Sequence, residues 1–141
     1  MAVKDLREWI GEIEKLGELT RVEGADPHLE LGGLVDLYQW EMENPALLFE
    51  KIKGYPENYK LLANVLTSMP RICQSLDLPT DLSRHEFVKV WRDRLKELQP
   101  IPPRLVEDGP VLENRQVGDQ VDVTQFPAPF WHSEDGGNYL G

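Results

Sequence analysis

Apolar residues near the start of the chain fall at helical spacing. Leu6, Trp9, Ile10, Ile13 and Leu16 share one face, Asp5 stands at the cap position and Glu8 follows three residues later. The pattern predicts a first helix, ended by Gly17 in a left-handed conformation. Residues 18–22 then read as a short strand. Asp26-Pro27 predicts the start of a second helix, because a proline in the first turn gives up an N–H that has no partner there anyway. Leu31, Leu34, Val35, Tyr38 and Met42 form its apolar stripe. Gly32-Gly33 interrupts that stripe and weakens the helix by about 1 kcal/mol per glycine relative to alanine. A glycine pair there points to close packing against another backbone.

Farther along, residues 45–49 form a continuous apolar run (Pro-Ala-Leu-Leu-Phe) and predict a buried strand. Lys53-Gly-Tyr-Pro56 reads as a turn and residues 60–66 as another strand. Ser68 and Pro70 start a helix running to about Leu76. Ser83-Arg-His-Glu86 has the capping-box pattern and leads into a longer helix containing Phe87, Val88, Trp91 and Leu95. The character changes at Gln99: Pro100, Pro102 and Pro103 end the helix, and no amphipathic helix follows. Residues 104–106 and 120–124 read as extended segments joined by turns. So polar a tail cannot build its own core; it belongs with a missing domain or packs on a partner. The division is therefore an α/β domain over 1–103 and an extended linker over 104–141. The fold class is α/β (α+β), a small mixed sheet with packed helices.

Composition narrows the function. The 141 residues carry 25 acidic and 15 basic side chains, a net charge of −10, which repels nucleic-acid phosphates and anionic headgroups. No apolar run approaches the ~18 residues needed to span a bilayer, and the start has no signal-peptide pattern, so a cytoplasmic protein is expected. The single cysteine, Cys73, excludes an internal disulfide and reads as a buried, inert thiol.

Candidate chemistry is sparse. The histidines, His28, His85 and His132, lie at least 47 residues apart and have no metal-ligand spacing. His28 and His85 read as solvated helix-end residues. His132 stands out in Phe130-Trp-His-Ser-Glu-Asp-Gly-Gly-Asn-Tyr139, where aromatic, titratable and glycine residues crowd into a loop. Glu41, Glu43 and Glu50 read as a solvated face rather than an acid/base pair. No phosphate loop or catalytic triad can be assembled.

Several stretches nevertheless resemble UbiD-type decarboxylases in order along the chain. They are Asp5-Leu-Arg-Glu-Trp-Ile10 with Leu16-Gly-Glu-Leu19, Asp26-Pro-His-Leu-Glu-Leu-Gly-Gly-Leu-Val35, and Pro45-Ala-Leu-Leu-Phe-Glu-Lys-Ile-Lys-Gly-Tyr-Pro56. Val106-Glu-Asp-Gly-Pro-Val-Leu-Glu-Asn114 and Pro127-Ala-Pro-Phe-Trp-His-Ser-Glu-Asp-Gly-Gly-Asn-Tyr-Leu-Gly141 continue the match. The resemblance implies an N-terminal α/β domain followed by a flavin-binding split β-barrel, truncated here, and a C-terminal region used in oligomerisation. It implies reversible decarboxylation of aromatic or α,β-unsaturated acids on prenylated FMN, with manganese and potassium at the cofactor phosphate. The family's metal-binding and catalytic positions lie beyond Asp135-Gly-Gly-Asn-Tyr139, so no catalytic, cofactor-binding or metal residue is carried over to this chain. His132 and Asp135 belong to the motif leading into the flavin domain, and Asn138 stands where lysine or arginine is usual. Two readings follow: a truncated part of a decarboxylase, favoured by an ending in mid-motif, or a short accessory subunit beside a catalytic chain. Either implies a decarboxylase partner segment, and an open strand edge in the tail adds an expectation of homo-oligomers.

Overall fold

The computed structural model describes residues 3–40 and 44–140. Its centre is a three-stranded sheet in the order β1 (Leu19–Glu23), β2 (Ala46–Glu50), β3 (Leu61–Ala63). β1 pairs with β2 in parallel and β3 with β2 antiparallel, so the sheet is mixed, as the sequence predicts. Ala46, Leu47, Leu48 and Phe49 are all buried, which is why β2 reads as an unbroken apolar run rather than an alternation. Each large side chain of that run stabilises the fold by roughly 1.5–3 kcal/mol on burial.

Alternate residues serve two layers. Leu47, Phe49 and Leu61 face a cluster with Leu31 and Ala25, against which Leu34, Val35 and Tyr38 of α2 (Glu30–Gln39) also pack. Ala46 points the other way, to Trp9 and Ile13 of α1 (Leu6–Lys15), with Leu19 and Leu62 beside it. α1 begins as predicted, Asp5 accepting from the Glu8 N–H, and Gly17 (φ 74°) reverses the chain into β1.

A buried arginine, unforeseen in the sequence, ties α3 (Met69–Ser75) to this frame. Arg71 is fully buried. It donates to Glu18 Oε2 (2.6 Å), the Asn44 carbonyl (2.6 Å), Thr67 Oγ1 (2.7 Å) and the Val65 carbonyl (3.3 Å). Burial disfavours its charge and pulls its pKa down, with Glu18 opposing that shift. Ser75 Oγ in turn accepts from Trp9 Nε1 at 2.9 Å, fixing α3 on α1.

Four expectations need correction. α2 starts at Glu30, not at Asp26-Pro27; Asp26 instead accepts from the His28 N–H and from Lys53, and Leu29 enters the helix at φ 69°. β3 stops at Ala63, because Asn64 turns away with φ 57°. Residues 120–124 are not one extended segment: Val121 and Asp122 are extended, but they lie between single-turn 3₁₀ helices at Gly118–Gln120 and Val123–Gln125. Glu50 is not a solvated acid: it sits between Arg21 and Lys60, and those partners hold its carboxyl below the usual range, Lys60 first. Glu41, Glu43 and Met42 lie outside the described residues. No strand of a split barrel occurs among the described residues.

α4 (Arg84–Glu97) has both halves of the predicted capping box, Ser83 with Glu86, yet buries no residue. Arg94 anchors it, donating to the Leu76 carbonyl (2.7 Å) and the Asp77 carbonyl (3.1 Å) at the end of α3. From Arg84 through Phe126 no side chain is buried, in keeping with a stretch that has no core of its own.

Candidate functional site

The tail comes back to the body at Pro127. Pro127 and Pro129 are buried, and Phe130 forms a parallel bridge with His28. The Phe130 N–H donates to the Pro27 carbonyl at 2.9 Å, and the Leu29 N–H donates to the Phe130 carbonyl at 2.8 Å. The tail thus pins residues 27–29 in a turn and bridge outside the helix, which accounts for the late start of α2 after Leu29 at positive φ. His28 is exposed, as expected, but lies just ahead of the Leu29 cap rather than in the helix; its ring stacks on Phe130, 5.2 Å between centroids and 10° from parallel.

Gly32 meets the next residue of the tail. A Cβ there would lie 1.9 Å from the Trp131 carbonyl oxygen and 2.7 Å from its carbon, so only glycine admits this approach. The glycine pair therefore does mark close backbone packing, at Gly32 alone, since Gly33 faces open space. Trp131 packs on the cluster beneath α2 and donates its Nε1–H to the Tyr139 carbonyl at 3.1 Å. Asn138 uses its short amide locally, donating to the Ala128 carbonyl at 2.9 Å.

One turn along α2 from Gly32, Asp36 presents its carboxylate to His132. Asp36 Oδ2 lies 3.0 Å from Nε2, and Asp135 Oδ2 lies 3.7 Å from Nδ1 while accepting the His132 N–H at 2.9 Å. The sequence singled out His132 and Asp135; it did not supply Asp36, whose only signal was its place four residues after Gly32 on the same helix face. The two carboxylates flank opposite ring nitrogens, so they do not converge on a common point for a metal ion, and no ligating cluster occurs among the described residues. No nucleophile adjoins the imidazole in the hydrogen-bond network described, and the ring is half exposed. This arrangement can orient and hold a segment. A nucleophile–base–orienter set is not present among the described partners of His132.

The other candidates stay apart. His85 is exposed at the start of α4. Cys73 is buried, and burial pushes its thiol pKa up, with Asp81 adding to the shift; it is an inert thiol, as predicted. Two clefts accompany the docked tail. One of about 440 Å³ is lined by Tyr59, Asn114, Gln116, Gln125 and Phe126. The other, of about 480 Å³, runs along residues 61–67 with Trp131 and Leu140 in its lining; Asn64 also lines it, and the Nδ2 of that residue is buried without a partner. Neither lining includes a basic or carboxylate side chain, so neither fits a flavin phosphate or the metal ion beside it.

Residues 10–91 match the model of the 3-octaprenyl-4-hydroxybenzoate carboxy-lyase N-terminal domain. The chain is 32% identical over 145 residues to pyrrole-2-carboxylic acid decarboxylase of Pseudomonas aeruginosa, covering 97% of this chain and 29% of that protein. It is 33% identical over 142 residues to an uncharacterized protein in the cooM 5′ region of Rhodospirillum rubrum, covering 98% of this chain and 28% of that one. Among solved structures, vanillic acid decarboxylase (ShVdcCD) of Sedimentibacter hydroxybenzoicus is similar at 28% identity. Its closed form gives a TM-score of 0.84 and its open form with truncated ShVdcD 0.81, in each case over 98% of this chain and 29–30% of that one. The chain thus spans less than a third of the length of the curated relatives it matches.

Proposed function

Because the chain belongs to the 3-octaprenyl-4-hydroxybenzoate carboxy-lyase (UbiD) family through its N-terminal domain, we propose that it is the N-terminal part of a reversible, non-oxidative decarboxylase of aromatic or α,β-unsaturated carboxylic acids. The observation that carries this reading is the pairing of coverages: relatives align along nearly all of this chain, which accounts for under a third of theirs. Two of those relatives are named for aromatic acids, pyrrole-2-carboxylic and vanillic acid. Prenylated FMN, with manganese and potassium, would supply the chemistry in the parent enzyme and would be held by segments outside this chain. Residues 1–103 would then be the α/β domain and 104–141 the lead into the flavin domain. In this reading the docking of Trp131 and His132 on α2 sets the direction in which the chain leaves the α/β domain.

A second reading is an accessory subunit beside a separate catalytic chain. It draws on the vanillic acid decarboxylase structures, in which a second component, ShVdcD, is present. The intact mass of the native protein, detected in its source cell with an antibody to this chain, separates the two. A species several times heavier than 16.2 kDa supports the parent enzyme, and its decarboxylation of aromatic acids then tests the activity. A species of 16.2 kDa overturns that reading in favour of the subunit.

A further inference from the structure

The sequence holds two Asp-Gly pairs, Asp108-Gly109 and Asp135-Gly136, and the fold treats them in contrary ways. An aspartate followed by glycine has a reactive neighbour of its own. Attack of the next backbone nitrogen on the side-chain carboxyl carbon closes a five-membered ring, and glycine obstructs this least because it has no Cβ to crowd the nitrogen. Whether a given pair reacts depends on how closely the two atoms are held and how freely the loop can turn.

At Asp108 both conditions are met. Asp108 Oδ1 accepts the Gly109 N–H at 2.8 Å, which brings the carboxyl carbon up beside that nitrogen. The Gly109 N–H has no other acceptor among the described residues, while its carbonyl is held by the Leu112 N–H at 2.9 Å. Asp108 is exposed, and a Cβ placed on Gly109 would meet no atom within 4 Å, so the nitrogen faces open space. No side chain from Arg84 through Phe126 is buried, and no packing resists the rotation that ring closure needs.

Asp135 belongs to the same dipeptide under restraint. Its Oδ2 accepts the His132 N–H at 2.9 Å and stands 3.7 Å from His132 Nδ1. Its own N–H donates to the His132 carbonyl at 3.1 Å, so the residue is closed into a turn on the docked segment. The carboxylate is engaged by the residue three before it, and no hydrogen bond joins it to Gly136 among the described residues.

We propose that Asp108-Gly109 is a site of spontaneous covalent modification, where the chain forms a succinimide and then isoaspartate, while Asp135-Gly136 is protected. The Gly109 nitrogen bonds to the Asp108 carboxyl carbon, and the hydroxyl of the acid form leaves with the amide proton as water. A second water then opens the ring at either carbonyl. Opening at the former backbone carbonyl of Asp108 frees its α-carboxylate and routes the main chain through the old side chain. Water is the only co-reactant, and the product carries one extra methylene in its backbone. That methylene falls between α4 and Pro127, so the seat of residues 127–140 on α2 is left as it was. The same change at Asp135 would take the carboxylate away from His132. The fold places the reactive pair where a longer backbone does no harm. The proposal rests on neither reading of the parent protein.

Incubating the purified chain for weeks at physiological temperature in heavy-oxygen water, then mapping its peptides by electron-transfer fragmentation, tests this. Isoaspartate carrying a heavy oxygen is expected at Asp108, at least ~10-fold ahead of Asp135. A parallel sample in urea removes the folded geometry, and there the two pairs should react at comparable rates. Gly109→Val, whose Cβ enters open space, should suppress the product at Asp108 and leave far-UV circular dichroism unchanged. Amide exchange at Leu29 and Phe130 should be the same in modified and unmodified chains. No isoaspartate at Asp108, or the same ratio between the two sites folded and unfolded, overturns the proposal. So does a product at Asp108 that Gly109→Val leaves undiminished.

Discussion

Two polar contacts hold segments to the sheet, and they work in opposite ways. Arg71 is sealed beneath α3, with hydrogen bonds to two side chains and to backbone carbonyls, so removing it takes several hydrogen bonds at once and empties a closed space in the body. His132 and Asp36 meet in the open, each about half exposed, where solvent replaces either partner at little cost. The first contact makes the body one unit. The second guides a segment that the backbone bridge at Phe130 and the seat at Gly32 already hold. The strength of a docked element here is set by desolvation rather than by the number of charges involved.

The sharpest way to break that contrast is Arg71→Ala. We expect a loss of about 2–5 kcal/mol from the cavity and the lost hydrogen bonds, a large share of the roughly 5–15 kcal/mol available to an ordinary domain, read as a lowered urea midpoint. Gly32→Ala should separate the regions. The new methyl collides with the Trp131 carbonyl, an overpacking cost of about 1–3 kcal/mol, while the helix itself gains about 1 kcal/mol. Amide exchange should therefore accelerate at Leu29 and Phe130 and stay protected in β2. A smaller change, Ser83→Ala, should cost about 1 kcal/mol in α4. It should lower helicity without moving the melting of the sheet, because α4 buries nothing. Smallest is His132→Gln, expected to cost less than about 1 kcal/mol, visible as faster exchange at Tyr139 alone.

Acid gives a matching test in the sheet. The Glu50 carboxyl is held below its ordinary value of 4.5 in the folded protein by Lys60 and then Arg21. Its contribution is therefore complete above that value and is lost as pH falls through the lower folded one. Glu50→Gln should flatten this part of the acid transition, measured by thermal melts across the range, and leave the docked tail's exchange unchanged.

The sequence revealed what periodicity and local chemistry control. Both capping patterns of α1 and α4 appeared as predicted, and the unbroken run at 46–49 became the buried central strand. Gly32 was legible as a site of close approach although its partner was not. What escaped depends on residues distant along the chain. Asp26-Pro27 looks like a helix start, and only the later arrival of Phe130 bridges that segment and keeps it out of the helix. Arg71 reads as an ordinary helical arginine until Glu18 and the Asn44 carbonyl, 53 and 27 positions away, close around it. Asp36 carries no mark of its own as the partner of His132, 96 residues on.

Because the tail is pinned again at Pro127, the stretch from Arg84 to Phe126 is a closed excursion with both ends on one body. The entropy of closing such a loop grows only with the logarithm of its length, about 0.6 kcal/mol for each doubling. Inserting or deleting a dozen residues near 113–117 should therefore barely disturb the attachment. A single peptide-bond cleavage in the same place would act differently. It would turn an intramolecular contact into a bimolecular one, cancel the effective concentration that holds residues 127–140 against α2, and set that segment free.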